Sequence, residues 1–530
     1  MEIDQKTGAL LIRIGVLQHE EEMTFKATRS FLGYDLENNK IFEGKEGHSY
    51  KITHKTRDPG EIKYAVRMNI RVEESEADER IKYWESREVR ASKLRVGDKI
   101  PLGNGQVYDN REFWILSRTF DSEKAADDYR RTLPDFGGMK VVPIITHAAS
   151  GQLFLEGISV KDGLRLVLDD PSGRFLLDNI HVGIGFHWDH RETQEYEGNL
   201  AFHIDRYGKI TAVNILDLET YLSAVNSSEM VPNCSMEFLK SQTIVARNTV
   251  FATTGKHHFG DPFDLCADDH CQCFHGSAAI EDRSREAAAL TRGEVLMYRD
   301  QVCDARYAKV CGGIGESYEN VWDDQKIPYL TKFYDGADAP AQLPDLRQED
   351  TVREFIESSP KVFCNPDAFQ LPDYLREAHE HFNWQVGYMP EKSGFRWEVR
   401  FTPEELGQIV EEKTGWGLGA ILDIQPLERG DSGRLIYAKL LGQNGEKIIG
   451  KELEIRGVLS KTHLFSSMFV VDREVDTDGN IKAIRLKGGG WGHGVGLCQV
   501  GAEIMGEQGY SYDEILYHYY PGSKLKKLYE

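Results

Sequence analysis

The 530-residue sequence has no excess of basic residues: 64 Lys and Arg stand against 86 Asp and Glu, a formal net charge of −22. A broad nucleic-acid footprint needs a basic surface, so nucleic acid is excluded as the main partner. An anionic membrane surface is disfavoured for the same reason, although a local basic groove is compatible with this balance. No stretch approaches about 18 uninterrupted apolar residues, so no membrane-spanning segment is expected. The opening Met1-Glu2-Ile3-Asp4-Gln5 lacks a basic n-region, an apolar h-region and a small-residue cleavage site, so no signal peptide is visible there. Internal repeats and low-complexity tracts are also missing. Cysteine is sparse for a disulfide framework, with 8 in so long a chain.

What is present is an ordinary globular composition, 40% hydrophobic and 28% charged. The length is enough for roughly three or four domains. Residues 1–110 read as a strand-rich region, with Leu10–Leu17 as its first strand and turns such as Arg57-Asp58-Pro59-Gly60 between short alternating segments. Residues 111–150 read as a small β-α-β module, similar to half of a sporulation-related-repeat (glycan-binding) unit. Two parts of a core follow at 180–344 and 396–530, separated by a polar, aromatic surface insertion at 345–395. Strands and helices are intermixed without a βαβα period, which gives an α+β fold class.

Leu218, Tyr221, Leu222 and Val225 fall at i, i+3, i+4 and i+7 on one helical face, with Asp217 placed as N-cap. Pro232 disfavours helix at Val231, so Glu229 is expected at the helix end or on the following loop. A second helix is expected from about Ser235 to Thr253, ended by Gly255. Lys240 and Arg247, two turns apart, share a face of it with Ile244 and Phe251. Cations among apolar residues either snorkel or face an anionic group.

Glu229-Met230, followed by Glu237-Phe238-Leu239-Lys240-Ser241-Gln242-Thr243-Ile244-Val245-Ala246-Arg247, resembles the signature of the stage II sporulation protein D and amidase-enhancer family. The resemblance continues through Phe263–Gln272, Ala305-Arg306-Tyr307, Cys311-Gly312-Gly313, Val321-Trp322 and Pro328-Tyr329-Leu330. It resumes at Gly490-Trp491-Gly492-His493-Gly494-Val495-Gly496-Leu497-Cys498-Gln499 and ends at Ile515–Gly522. The family resemblance implies an α+β core around a glycan-binding groove and lytic transglycosylase activity on peptidoglycan glycan strands. Glu229 would be the acid/base, and Lys240, Arg247, Tyr307, Trp491, His493 and Gln499 would bind substrate. It also implies an extracytoplasmic, cell-envelope location and a cell-wall amidase as a possible partner. One carboxylic acid suffices for that chemistry, because the sugar's own 6-hydroxyl replaces the water that ordinary glycosidases activate with a second carboxylate.

The run His257–His275 concentrates three thiols and four imidazoles. Zinc prefers four tetrahedral nitrogen and sulfur ligands, and His258, Cys266, His270 and Cys271 are the candidate set for a structural ion. A Cys266–Cys271 disulfide, or simply buried thiols, are the alternatives. The glycine-rich Gly488–Gly496 is no phosphate loop, since no Gly-Lys-Ser/Thr ends it. Three function classes result: a glycan-cleaving enzyme, a non-catalytic peptidoglycan-binding enhancer of an amidase, and a zinc hydrolase. The last is weakest, because no His-Glu-x-x-His motif occurs and four protein ligands leave no open coordination position.

Overall fold

The computed structural model describes residues 1–530 except 104, 185–188, 231–232, 269, 371 and 375–393. The expected mixture of helices and strands is found, and its centre is a pair of antiparallel sheets sharing one core. One sheet runs Glu2–Ile3, Leu10–Glu20, Ile210–Asp217, Asn199–Ile204, Gly163–Leu168, Phe31–Asp35 and Lys40–Gly44. The other runs Ile158–Lys161, Ser150–Leu155, Tyr50–Asp58, Glu22–Ala27, Phe175–Val182 and His190–Tyr196. Alternation sets which side chains enter the core: Leu10, Ile12 and Ile14 are buried while Leu11 and Arg13 are partly exposed. Phe25 from one sheet meets Phe31 and Phe202 from the other, with ring centroids 6.0 and 5.3 Å away.

The domain boundaries differ from those read off the sequence. Residues 1–110 are not one unit, because Leu10–Glu20 pairs with Ile210–Asp217, the strand that leads into the Glu229 helix. The β-α-β stretch at 111–150 is the second half of a larger module that begins at Glu61. Its elements are Glu61–Arg71, helix Glu74–Glu85, Ser92–Val96, Glu112–Phe120, helix Glu123–Arg130 and Lys140–His147. The four strands lie in the order Lys140–His147, Glu61–Arg71, Glu112–Phe120, Ser92–Val96, a βαββαβ arrangement of the ferredoxin-like kind. It interrupts a hairpin, for Tyr50–Asp58 and Ser150–Leu155 on either side of it pair with each other, Asp58 opposite Ser150.

Beyond the two sheets, helix Leu218–Glu229 follows its strand directly, and the Asp217 carboxylate accepts the Thr220 amide at 3.1 Å as N-cap. Helix Met236–Thr253 begins at the N-cap Ser235 and is buried along most of its length. A further three-stranded sheet, Arg396–Phe401, Ile481–Gly489 and Phe469–Val475, packs with the 421–449 meander and helices Pro403–Thr414 and Glu452–Val458 around a core of its own. This unit leaves and re-enters the chain at one place, where Tyr307–Ala308 pairs in parallel with Leu497–Cys498 and Val310 bridges Trp491. The surface insertion expected at 345–395 is thus part of a longer excursion, and most of it from 375 onward lies outside the described residues. No helix among the described residues is long and apolar enough to cross a membrane.

Candidate active site

Glu229 is the last residue of its helix, and Met230 turns into extended backbone. The proposed stop at Val231-Pro232 lies outside the described residues. Two donors converge on one carboxylate oxygen: the Tyr307 hydroxyl at 3.0 Å and the Cys273 amide at 3.2 Å from Glu229 Oε1. Burial holds the Tyr307 phenol well above its usual range, so it stays protonated and donates. The Lys309 ammonium donates to the Glu229 carbonyl at 3.2 Å and touches the Met230 sulfur at 3.4 Å. A cation there complements the negative end of the helix, although burial pulls the Lys309 pKa down.

Two segments therefore hold the carboxylate. One is the strand Tyr307–Ala308, with Lys309 just beyond it. His493 backs this strand from the glycine-rich block: its Nδ1 accepts the Val495 amide at 3.0 Å, its ring packs against Trp322 at 4.8 Å, and it hydrogen-bonds the Tyr307 backbone. Burial, with Arg306 nearby, keeps this imidazole neutral by pulling its pKa well below the usual value. The other segment is the loop Cys266–Cys273. Gln272 is buried in it, lies 3.5 Å from the Tyr307 hydroxyl through its own oxygen, and donates to Tyr221 at 3.3 Å.

The same loop carries the thiols and imidazoles singled out in the sequence. Ligand atoms of His258, Cys266, His270 and Cys271 all lie within 4.8 Å of one another. His270 Nδ1 is 3.9 Å from the Cys266 sulfur and 3.6 Å from the Cys271 sulfur. Two features of His258 fit a cation at this point. Its Nδ1 is held by the Asp261 carboxylate at 3.1 Å, while its Nε2 is buried with no hydrogen-bond partner among the described residues. A carboxylate on one imidazole nitrogen, with the other free to ligate, is the usual support of a metal-bound histidine. His257 lies beside the group, its Nδ1 3.8 Å from the Cys271 sulfur.

Residues 206–298, which contain both the Glu229 helix and this loop, match the family model described as Stage II sporulation protein. Residues 316–496 match a domain of unknown function (DUF8618), which corresponds to the excursion between Tyr307 and Leu497. Three curated relatives are similar to this chain. An uncharacterized protein of Brachyspira hyodysenteriae is 26% identical over 62% of this chain and 71% of its own. The Amidase enhancer of Bacillus subtilis is 26% identical over 57% of this chain and 40% of its own. The Stage II sporulation protein D of Bacillus amyloliquefaciens is 23% identical over 60% of this chain and 76% of its own. The resemblance to the stage II sporulation protein D and amidase-enhancer family is borne out.

Of the six substrate-binding residues that the family resemblance implied, the structure brings Tyr307 and His493 to Glu229 and its supporting strand. Trp491 is partly buried, bridged to Val310 and packed edge-on against Phe465 at 5.8 Å. The structure places the other three as follows. Arg247 is fully buried, bound to Glu219 at 2.6 Å and to the Tyr529 hydroxyl at 3.1 Å. Lys240 is tied to Glu237 at 2.7 Å and lies 5.4 Å from the Tyr512 ring centre. Gln499 is buried at the start of helix Gln499–Glu507, with its Nε2 unpartnered among the described residues. Sequence reasoning missed Lys309, Gln272 and the Cys273 amide. Lys309 and Gln272 lie inside or beside the quoted motifs, but nothing in their spacing points to Glu229.

Proposed function

We propose that this protein cuts peptidoglycan glycan strands as a lytic transglycosylase with Glu229 as its single acid/base. The observation that carries this is the placement of the Glu229 carboxylate at its helix end, held by a phenol and a backbone amide within the segment that matches the Stage II sporulation protein model. In the forward step the Glu229 carboxylic acid gives its proton to the glycosidic oxygen as the bond from that oxygen to C1 breaks. The resulting carboxylate takes the proton of the same sugar's 6-hydroxyl, whose oxygen bonds to C1. The acid is regenerated, no water is consumed, and the products are a 1,6-anhydro end and a free 4-hydroxyl. Tyr307 and the Cys273 amide keep one carboxylate oxygen in place, which is the positioning such proton transfers need. Denuded glycan strands incubated with the protein are expected to yield 1,6-anhydro ends by mass spectrometry. Ordinary reducing ends, or intact strands, would reject the mechanism.

The curated relative named Amidase enhancer supports one other reading, a non-catalytic glycan binder that stimulates a cell-wall amidase. That reading predicts intact strands and a faster amidase. Either role implies work on the cell wall, outside the cytoplasmic membrane.

The positioning hydrogen bond gives a graded test. Tyr307→Phe removes one neutral donor worth about 1 kcal/mol, so turnover should fall roughly fivefold to tenfold with little change in thermal stability. Unchanged turnover would show that the phenol does not orient the acid.

A structural zinc ion held by His258, Cys266, His270 and Cys271 belongs to the same proposal. Four protein ligands leave no open position, so the ion would fix the loop that presents Gln272 and the Cys273 amide rather than polarise a bond. Cys271→Ser is expected to cost one zinc equivalent and to lower the melting temperature, as chelation should in the parent protein. The disulfide alternative predicts the opposite: reductant destabilises, chelator does nothing, and Cys266 and Cys271 are recovered as one linked peptide.

A further inference from the structure

A second group of metal-ligand side chains lies in the core, apart from the loop just described. Cys311, Asp335, Cys364 and Cys498 are all buried, and their ligand atoms lie within 4.8 Å of one another. They come from four separated segments. Cys311 follows the strand that carries Tyr307, and Cys498 ends the strand paired with it. Asp335 and Cys364 lie within the 316–496 excursion, where the Asp335 amide donates to the Gly313 carbonyl and the Phe363 amide to the Asp335 carbonyl.

Buried thiols alone are unremarkable, since free cysteine behaves as a small hydrophobe. Three observations set this group apart. First, a fully buried carboxylate stands among the thiols, and no basic side chain pairs with it among the described residues. A charged carboxylate buried this deeply is costly unless it is paired, well hydrogen-bonded or bound to a metal. Second, the Cys311 and Cys364 sulfurs are 3.7 Å apart. A tetrahedron of sulfurs about 2.3 Å from a zinc ion has an edge of about 3.8 Å, whereas a disulfide would need a separation of about 2 Å. Third, the outer contacts are those of ligands. The Cys311 amide points at the Cys498 sulfur at 3.2 Å and the Gly313 amide at the Cys311 sulfur at 3.4 Å. Asp335 accepts from the Tyr519 hydroxyl at 2.7 Å and the Cys364 amide at 3.2 Å. Hydrogen bonds to sulfur and carboxylate hold ligating groups in place and offset their charge. Two buried guanidiniums add positive charge close by, Arg434 on the Cys311 carbonyl and Arg396 on the Gly312 carbonyl. Even the backbone makes room, since a Cβ on Gly501 would sit 2.6 Å from an Asp335 oxygen.

We propose that Cys311, Asp335, Cys364 and Cys498 form a buried structural zinc site that fastens the 316–496 excursion to the strand supporting Glu229. Three thiol protons go to solvent as the ion binds, and no redox change occurs. Lys309, whose carbonyl lies 4.0 Å from the Cys498 sulfur, links this site to the Glu229 carbonyl. The site is independent of the glycan-cleavage reading, because its readout is metal content.

The unmutated protein, purified reduced and without chelator, is expected to carry about two zinc equivalents if the loop site is also filled. A Cys266→Ala/Cys271→Ala double variant should keep about one. Loaded with Co2+ in place of zinc, that double variant should show thiolate-to-metal charge-transfer absorption and tetrahedral ligand-field bands, both lost on adding Cys364→Ala. Because that last variant can fail to fold, the metal count and the cobalt spectrum of the double variant decide the matter by themselves. A single equivalent in the unmutated protein that the double variant keeps would remove the loop site and leave this one standing. A double variant without metal, or a cobalt spectrum without thiolate bands, would overturn the proposal. So would recovery of Cys311 and Cys364 as a disulfide-linked peptide.

Discussion

Glu229→Gln is expected to leave the fold and glycan binding nearly unchanged while lowering the rate of strand cleavage about 10²–10⁴-fold, the usual contribution of a general acid/base. Glutamine keeps an oxygen where Tyr307 and the Cys273 amide donate to Oε1. It also leaves the backbone carbonyl that Lys309 binds untouched. What disappears is the proton and the site that later receives one. The loss should therefore fall on turnover and not on substrate affinity, which release of anhydro ends over a range of strand concentrations would separate. Retention of more than about a tenth of the parent rate would remove Glu229 from the acid/base role. The variant also divides the two functional readings. If stimulation of an amidase survives intact while cleavage is lost, the protein has both capacities, and only the cutting depends on this carboxylate.

Features set by neighbouring residues could be read from the sequence. The Asp217 and Ser235 caps stand where their side chains can reach an amide three residues on, and the capping box of Ser511 and Glu514 is equally local. The loop cluster was legible for the same reason: His258, Cys266, His270 and Cys271 fall within one short run, and the structure gathers all four. The buried group of Cys311, Asp335, Cys364 and Cys498 was not, because no local pattern joins residues as far apart as Cys311 and Cys498. The first half of the βαββαβ module was hidden differently. Helix Glu74–Glu85 buries only Ala77 and Trp84, with Ile81 half-buried on the same face, so its apolar stripe is narrow and stands out weakly among charged neighbours. At Glu229 the helix and its end were predictable, but the partners were not. Tyr307, Lys309 and the Cys273 amide meet it through sheet pairing and loop closure, neither of which leaves a periodic signal.

Lys240 and Arg247 show how a correct local inference can leave the role open. Seven residues apart, they do share a face of helix Met236–Thr253. That face meets the C-terminal part of the chain, Tyr512 beside Lys240 and Tyr529 beside Arg247. Arg247 is fully buried, and its guanidinium reaches Glu219 Oε2 at 2.6 Å, the Tyr529 hydroxyl at 3.1 Å and the Glu294 carbonyl at 2.9 Å. Tyr529 in turn donates to Glu219 Oε1 at 2.6 Å, so the pair and the phenol close a ring of hydrogen bonds. This ring ties the first turn of the Glu229 helix to its neighbour. Arg247→Ala leaves the Glu219 carboxylate buried without its cation, and breaking such a pair from one side costs about 3–5 kcal/mol. The melting temperature should drop on the order of 10 °C, while turnover per folded molecule stays close to that of the parent. Removing both charges together, as Arg247→Met with Glu219→Leu, leaves no orphaned ion and should recover much of the loss. A residue that bound substrate would behave in the opposite way. If Arg247→Ala kept its melting temperature and lost turnover, the buried pair would not be what holds the two helices together, and Arg247 would return to the glycan-binding role.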